Sequence, residues 1–324
     1  MRTDTDGDRP IRKTGASEVQ TSEHSGLRYP IVRFRKGQLQ NIEDTLAVEE
    51  PLEIRLCHGP IGARKIKSLS VTMRTPGDDW ELAAGFLAAE AVIRDSADIQ
   101  SIDWIASHPS ARSTTARSVS PSAYGRASRF NTLQVELHPD VVVNTATLER
   151  NFYTTSSCGI CGKASLLALR TVCPPRTPDS FGIDSSLLFG LPAKARSSQS
   201  LFEMTGGLHA SALFDSLGRL HSIQEDVGRH NAVDKLVGAE LLRDRVPLRD
   251  RLLFLSGRAS FELLQKALMA GIPMVVSIGA PSSLAVHVAR EFDMTLVGFL
   301  RDQQFNIYSR PERVRFTGTG EKMT

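Results

Sequence analysis

Two cysteines with two residues between them, Cys158 and Cys161, are the residues of this sequence best suited to carry out chemistry. Small and polar residues precede them, and an apolar pattern with helical spacing follows at 164–169. The pattern predicts a pair of thiols on a loop directly before a helix N-terminus, beside Lys163. A helix N-terminus and an ammonium group both favour the thiolate, which is the form that attacks sulfur and binds metals.

The chemistry of this pair has four possible interpretations. A structural zinc site needs four ligands, but no second Cys-x-x-Cys pair exists, and His209, His221 and His230 lie far away in sequence. A thioredoxin-like redox pair usually follows a strand in a βαβ unit, often with aromatic or proline neighbours, which Gly159 and Ile160 do not match. Thiols without a role are usually buried, which a polar, glycine-containing loop does not favour.

The fourth interpretation is persulfide carriage, and the pattern favours it. A thiolate can attack a donor persulfide, hold the outer sulfur and pass it on. The second cysteine can resolve the adduct or assist release, because thiol exchange proceeds through mixed disulfides. The residues alone would allow either Cys158 or Cys161 to be the carrier.

A second group of functional side chains lies at 225–235, around a predicted helix start. One interpretation is that Glu225, Asp226 and Asn231 hydrogen-bond a base or sugar, while Arg229 and His230 contact phosphate. The other is a well-capped, charged amphipathic helix. His209, alone on a predicted strand, is more typical of a core histidine.

Composition excludes several classes of protein. The chain has 324 residues and is 41% apolar, which indicates a large buried core. Its net charge of +3 is too small to produce a positive electrostatic potential that would attract nucleic acid. Four cysteines do not make a secreted disulfide framework. The N-terminus shows no signal peptide, and no apolar run is long enough to cross a membrane. We therefore expect a cytoplasmic protein with no membrane or nucleic-acid partner.

The pattern along the chain predicts two folded parts joined by a loop. Residues 173–198 are rich in proline and glycine, and they form the best internal boundary. The predicted segments are a disordered leader at 1–28, an N-terminal part at 29–172 that contains the cysteine loop and a solvated insertion at 106–130, a loop or hinge at 173–198, a C-terminal α/β part at 199–315 and a tail at 316–324.

After residue 227, apolar strands alternate with helices, which predicts parallel strands covered on both faces. Ligands of such sheets bind beyond the carboxyl ends of the strands, where helix N-termini offer free amides to anions. Small residues and arginines occupy these ends, so we predict a site for a phosphorylated ligand. We place Arg229 and His230 on one side, Arg258 and Ser260 in the middle, and Ser277, Gly279 and Arg301 on the other side.

Five motifs in order resemble those of the FdhD family, the formate dehydrogenase accessory sulfurtransferases. They begin at Cys158 (Cys-Gly-Ile-Cys-Gly-Lys), Thr205 (Thr-Gly-Gly-Leu-His-Ala-Ser-Ala-Leu), Glu225 (Glu-Asp-Val-Gly-Arg-His-Asn-Ala-Val-Asp-Lys), Ser256 (Ser-Gly-Arg-Ala-Ser-Phe-Glu) and Gly279 (Gly-Ala-Pro-Ser-Ser-Leu-Ala-Val). The resemblance covers roughly residues 28–315. It implies a sulfurtransferase that takes sulfur from a cysteine desulfurase and sulfurates the molybdenum cofactor, as the bis-guanine-dinucleotide form, for formate dehydrogenase.

The family resemblance also implies a fold, an assembly and particular site residues. The fold would be α/β, a three-layer mixed sheet with helices on both faces, similar to that of cytidine deaminases, and the protein would be a homodimer. Cys158 would carry the persulfide with Cys161 as its partner, and the protein would hold no metal of its own. A guanine nucleotide would bind in place of the molybdenum cofactor, which is the cargo of the protein. The cofactor-binding stretch would comprise Phe299, Leu300, Arg301, Asp302, Gln303, Gln304 and Phe305.

Deaminase chemistry does not follow from that fold. Zinc deaminases need a His-x-Glu motif and a Pro-Cys-x-x-Cys motif. Here Ala210 and Ser211 follow His209, and Ser157 precedes Cys158, so the general acid/base is missing. The alternatives to sulfur transfer are a chaperone that binds the cofactor without moving sulfur and a zinc-stabilised adaptor.

Overall fold

The computed structural model describes residues 25–105, 131–143, 169–171, 173, 180–301 and 303–316. Several predictions therefore lie outside the described residues. They concern the cysteine pair at Cys158 and Cys161, the insertion at 106–130, most of the 1–28 leader, Asp302 and the tail from 317 onward.

The N-terminal part contains a β-hairpin and a four-stranded sheet. The strands are β1 (Gly26–Arg35), β2 (Gln38–Ala47), β3 (Glu50–His58), β4 (Lys65–Arg74), β5 (Ile99–Trp104) and β6 (Thr132–Leu137). The sheet has the order β4-β3-β6-β5, and β1 pairs with β2 in a separate two-stranded sheet. Alternate residues of β3 (Leu52, Ile54 and Leu56) are buried against helix α1 (Asp79–Ala89). Because β1 starts at Gly26, the last three residues of the predicted leader belong to this strand.

The C-terminal part is built on a six-stranded mixed sheet. Its strands are β8 (His209–Phe214), β9 (Leu220–Asp226), β10 (Leu252–Leu255), β11 (Met274–Ser277), β12 (Thr295–Arg301) and β13 (Gln304–Ser309), in the order β13-β12-β11-β10-β8-β9. The central strands β10, β11 and β12 are parallel, and the outer pairs are antiparallel. The central strands are apolar along their length because both of their faces are buried.

Helices cover both faces of this sheet, which confirms the predicted three-layer α/β architecture. One face packs against α5 (Arg229–Leu241), α6 (Phe261–Met269) and α7 (Ser283–Glu291). The other face packs against β7 (Ile183–Asp184), α2 (Ser185–Leu188) and α3 (Leu191–Arg196). The similarity to cytidine deaminases stays a prediction. Among the described residues, no helix is long and apolar enough to cross a membrane.

The segment 173–198 was predicted as a loop or hinge, and this prediction is wrong for 183–196. Those residues form β7, α2 and α3, and Ile183, Leu188 and Leu191 are fully buried in the core. β7 also pairs in parallel with β14 (Val314–Arg315), near the end of the described chain. Proline at the second position of α3 is compatible with a helix start, so the proline and glycine content there marks helix ends and not a flexible joint.

Helices α1 and α5 connect the two parts and cross at backbone contact. A Cβ added to Gly238 would lie 1.8 Å from the Glu81 carbonyl oxygen, and one added to Gly85 would lie 1.9 Å from the Asp234 carbonyl oxygen. Only glycine permits so close an approach. The crossing fixes the N-terminal sheet relative to the start of α5.

We expect Gly238→Ala to lower the free energy of unfolding by about 1–3 kcal/mol, because the helices must separate to admit the methyl group. Alanine favours helix over glycine, so helix propensity alone predicts the opposite sign. Gly190→Ala is the matched control, since its Cβ would meet neighbours at 3.6 Å or more and its φ is −82°. Urea denaturation of the two variants measures the difference; equal stabilities would contradict the close crossing.

Candidate functional site

The carboxyl ends of the parallel strands form one edge of the large sheet, and the predicted ligand segments meet there. The Gly279 amide donates to the Gly257 carbonyl (3.1 Å), and the Phe299 amide donates to the Gly279 carbonyl (3.2 Å). The Ser282 amide donates to the Ala259 carbonyl (2.9 Å). The loops after β10 and β11 therefore lie side by side, next to the last residues of β12. We call this edge, with the starts of α5, α6 and α7, the strand edge.

His209 also belongs to the strand edge, although the sequence favoured a core histidine. β8 runs antiparallel to β10, so its first residue lies beside the carboxyl end of β10. A Cβ at Gly257 would lie 3.3 Å from His209 Nδ1. Burial lowers the pKa of His209, and the charges of Arg229 and His230 lower it further. The side chain thus offers a neutral imidazole at neutral pH. The sheet topology places His209 at the site, which the pattern of residues along the strand does not indicate.

Two arginines give the strand edge its positive charge. Arg229 begins α5, and its Nε atom is buried without an acceptor among the described residues. Arg258 follows β10 and is exposed. A buried N–H group without a partner is costly, and an anion at the adjacent helix N-terminus would satisfy it. The residues present therefore fit a phosphate group of the cargo.

His230, Ser260 and Glu262 form a polar cluster beside these arginines. His230 Nε2 lies 3.4 Å from Ser260 Oγ and 3.8 Å from Glu262 Oε2. The interaction with His230 is the main cause that lowers the pKa of Glu262 to about 2, and the Ser260 hydroxyl adds to it. α5 and α6 thus bring His230 and Ser260 together.

We expect His230→Ala to raise the pKa of Glu262 from about 2 toward its ordinary value of 4.5. A carboxyl group with a depressed pKa stabilises the fold above pH 4.5 and loses that contribution as the pH falls toward 2. The stability effect should be small, because 60% of the Glu262 side chain is exposed and water screens the pair. An NMR titration of Glu262 measures the pKa. The pKa of Glu53, which Arg55 lowers, should not move in this variant.

Three other polar residues of the 225–235 motif are used inside the protein. Both Glu225 carboxylate oxygens accept from amides at the start of α4 (Ser200–Thr205). Asp226 is fully buried, and Lys235 Nζ lies 2.8 Å from its Oδ2. Asn231 donates to the Met73 carbonyl (2.7 Å) and to Asp226 Oδ1 (3.0 Å). The prediction that Glu225, Asp226 and Asn231 contact a base or sugar is therefore wrong; these residues position Arg229 and His230.

The predicted stretch 299–305 contains both accessible and buried positions. Leu300 lies in the core and is 1% exposed. Ser277, which lies outside this stretch, is also buried, and its hydroxyl donates to the Gly279 and Val297 carbonyls. Neither side chain is available to a ligand, which corrects both predictions. Arg301, Gln303 and Gln304 are exposed, and Phe305 packs on Phe189 with ring centroids 5.5 Å apart.

Phe299 and Gln303 adopt positive φ angles of 55° and 60°, and the pairing of β12 with β13 shifts register between Gly298 and Arg301. Residues other than glycine rarely adopt such angles, and those that do concentrate at functional sites. The stretch is thus held in an unusual conformation at the strand edge, with the Arg301 guanidinium 5.8 Å from the centroid of the Phe299 ring.

The family model for the FdhD/NarQ family matches residues 47–315, which include all of the strand edge. The chain belongs to the FdhD/NarQ family. It is 48% identical over 289 residues to the sulfur carrier protein FdhD of Streptomyces coelicolor, covering 89% of this chain and 95% of that protein. It is 47% identical over 274 residues to the sulfur carrier protein FdhD of Mycobacterium tuberculosis, covering 84% of this chain and 92% of that protein.

A solved structure of a candidate formate dehydrogenase accessory protein from Desulfotalea psychrophila has the same fold. The TM-score is 0.63 at 24% sequence identity, over 90% of this chain and 100% of that one. At this identity the likeness concerns the fold alone. It agrees with the three-layer architecture of this FdhD/NarQ family member.

Proposed function

We propose that this protein carries sulfur as a persulfide on Cys158, with Cys161 as partner. The donor is a cysteine desulfurase, and the substrate that receives the sulfur is the molybdenum cofactor in its bis-guanine-dinucleotide form, destined for formate dehydrogenase. The protein would work in the cytoplasm as a homodimer. The names of the similar proteins support sulfur carriage. The observation that carries the proposal is the strand edge, where Arg229 has a buried N–H group without an acceptor in the described part of the chain.

The loading step is a thiol exchange. The Cys158 thiolate attacks the outer sulfur of the donor persulfide, the sulfur–sulfur bond of the donor breaks, and the donor leaves as a thiolate. In the second step, the Cys161 thiolate attacks the inner sulfur on Cys158. The outer sulfur leaves as sulfide, and the two cysteines form a disulfide that a cellular thiol reduces.

The strand edge holds the substrate while the cysteines transfer the sulfur. A bis-dinucleotide carries two pyrophosphates, and the N-termini of α5, α6 and α7 each offer free amides to them. Arg229 and Arg258 supply guanidinium groups that match phosphate. The neutral His209 imidazole can donate or accept one hydrogen bond there without adding charge. Binding therefore depends on the strand edge and loading on the cysteines, so the two steps can be tested separately.

A double variant, Cys158→Ser with Cys161→Ser, separates sulfur transfer from a chaperone function. We expect formate dehydrogenase produced with this variant to contain the cofactor without its sulfur ligand, because the strand edge is intact. Analysis of the cofactor by mass spectrometry after denaturation measures this. Fully active enzyme would support the chaperone instead, and about one zinc per purified chain would support the adaptor.

A further inference from the structure

The β1–β2 hairpin, residues 26–47, carries an exposed apolar surface, and we call it the arm. Val32, Phe34 and Leu39 are 63%, 70% and 73% exposed. Phe34 pairs directly with Leu39 across the hairpin, and Val32 is two residues along the same strand, so the three side chains share one face. They form an apolar patch beside the turn at Lys36 and Gly37.

The arm contacts the rest of the described chain near its base. Ser25 Oγ donates to the Pro76 carbonyl (2.9 Å), and the Val48 amide donates to the Ser25 carbonyl (2.9 Å). Helix α4 packs against both strands of the arm. A two-stranded hairpin is marginal alone in water, and an exposed apolar patch usually marks an interaction site. The patch near the tip therefore needs an occupant.

The base of the arm lies beside the strand edge. Pro76 follows Thr75, whose amide donates to Asp226 Oδ2 (3.1 Å) and whose hydroxyl accepts from the Val227 amide (3.2 Å). These contacts place the arm's base next to the start of α5. Helix α4 ends four residues before His209. The patch lies roughly 20–26 Å farther along the hairpin, so a bound protein of ordinary domain size would span the distance to a ligand held at the strand edge.

The positive charge near the tip of the arm indicates which kind of surface binds the apolar patch. Arg33, Arg35 and Lys36 surround the turn; Arg33 lies 3.6 Å from Asp44, while Arg35 and Lys36 have no acidic partner among the described residues. Tip-to-tip pairing with a second copy is disfavoured, because it would bring these cations together. On β4, the exposed Ile66 lies between Lys65 and Lys67, so that part of the strand is basic as well. An apolar surface with an acidic rim fits the arm better.

We propose that the arm docks the acceptor protein that receives the sulfurated cofactor, through an apolar surface with an acidic rim on that protein. The inference rests on the proposed function, since it takes the formate dehydrogenase catalytic subunit as the acceptor. It goes beyond that function, because the arm precedes almost all of the region that the family model matches and no part of the cysteine or nucleotide chemistry requires it. A homodimer through another surface is compatible with it.

The test compares two arm variants with a matched control. Phe34→Ser with Leu39→Ser removes two of the three apolar side chains of the patch, and Arg35→Glu with Lys36→Glu reverses the charge. Val142→Ser is the control, because Val142 is 93% exposed in a loop after β6. Biolayer interferometry measures the binding of full-length protein to the cofactor-free catalytic subunit of formate dehydrogenase. We expect both arm variants to weaken binding by at least about 10-fold, and the control to leave it unchanged.

Other measurements keep the outcomes apart. GDP binding and persulfide loading should be unchanged in both arm variants, which shows that they are folded and that only docking is lost. Unchanged affinity for the catalytic subunit would overturn the arm proposal while leaving the proposed function intact. A change from dimer to monomer in the arm variants, or loss of binding to anionic vesicles instead of protein, would also overturn it. Absence of GDP binding and loading in the wild type would overturn the proposed function.

Discussion

Formate dehydrogenase from cells whose only copy of this protein carries Cys158→Ala should have no measurable activity. The proposed function gives this thiol the sulfur in transit, and alanine cannot form a persulfide. The fold should be unaffected, because the sequence places Cys158 in a polar loop that contributes little packing. A formate oxidation assay on extracts, with the amount of enzyme checked by immunoblot, measures the effect.

Cys173→Ala is the control for this experiment. Cys173 packs against the α6 side of the core with its Sγ 3.9 Å from Met269 Sδ, and it has no place in the proposed transfer. We expect this variant to support formate dehydrogenase activity. Full activity with Cys158→Ala would remove Cys158 from the mechanism. Loss of activity with both variants would show that the assay reports folding and not transfer.

Arg258→Ala should weaken the binding of GDP by about 10- to 100-fold. A partly desolvated, charged contact to phosphate is worth about 1.5–3 kcal/mol, which corresponds to that range. The guanidinium is exposed in the structure, so its loss should change the melting temperature little. Persulfide loading should persist, because it needs only the cysteines and the donor. Isothermal titration calorimetry measures the affinity.

Arg219→Ala is the matched control for nucleotide binding. Its side chain is 73% exposed, but it lies in the β8–β9 turn, at the opposite end of those strands from His209 and Asp226. We expect it to bind GDP as the wild type does. Equal affinity in the Arg258 variant would exclude Arg258 from the site, and loss of both binding and loading would indicate a damaged fold.

The sequence predicted the C-terminal architecture well because its apolar strands and amphipathic helices alternate strongly. Once the strands are known to be parallel, their carboxyl ends must share one edge, so the proximity of the segments at Arg258 and Gly279 followed. The segment 183–196 was misjudged because proline and glycine also occur at helix starts, and its burial depends on the distant strands of the sheet.

Partners distant in sequence explain the errors at the site. The carboxylate of Asp226 bonds to Thr75, about 150 residues away, and no local pattern reveals this contact. Ser277 is predicted from its place at a strand end and Leu300 from the family resemblance, but strand geometry turns their side chains into the protein. His209 was missed because the antiparallel pairing of β8 with β10 brings a strand start to the strand edge.

Mass spectrometry of the purified protein after incubation with a cysteine desulfurase and cysteine tests the central claim most directly. The account predicts a mass increase of about 32 Da on a peptide that contains Cys158, reversed by a reducing thiol. The same increase should be absent from Cys158→Ala. An unmodified cysteine pair, under conditions in which the desulfurase itself carries a persulfide, would contradict sulfur carriage by this protein.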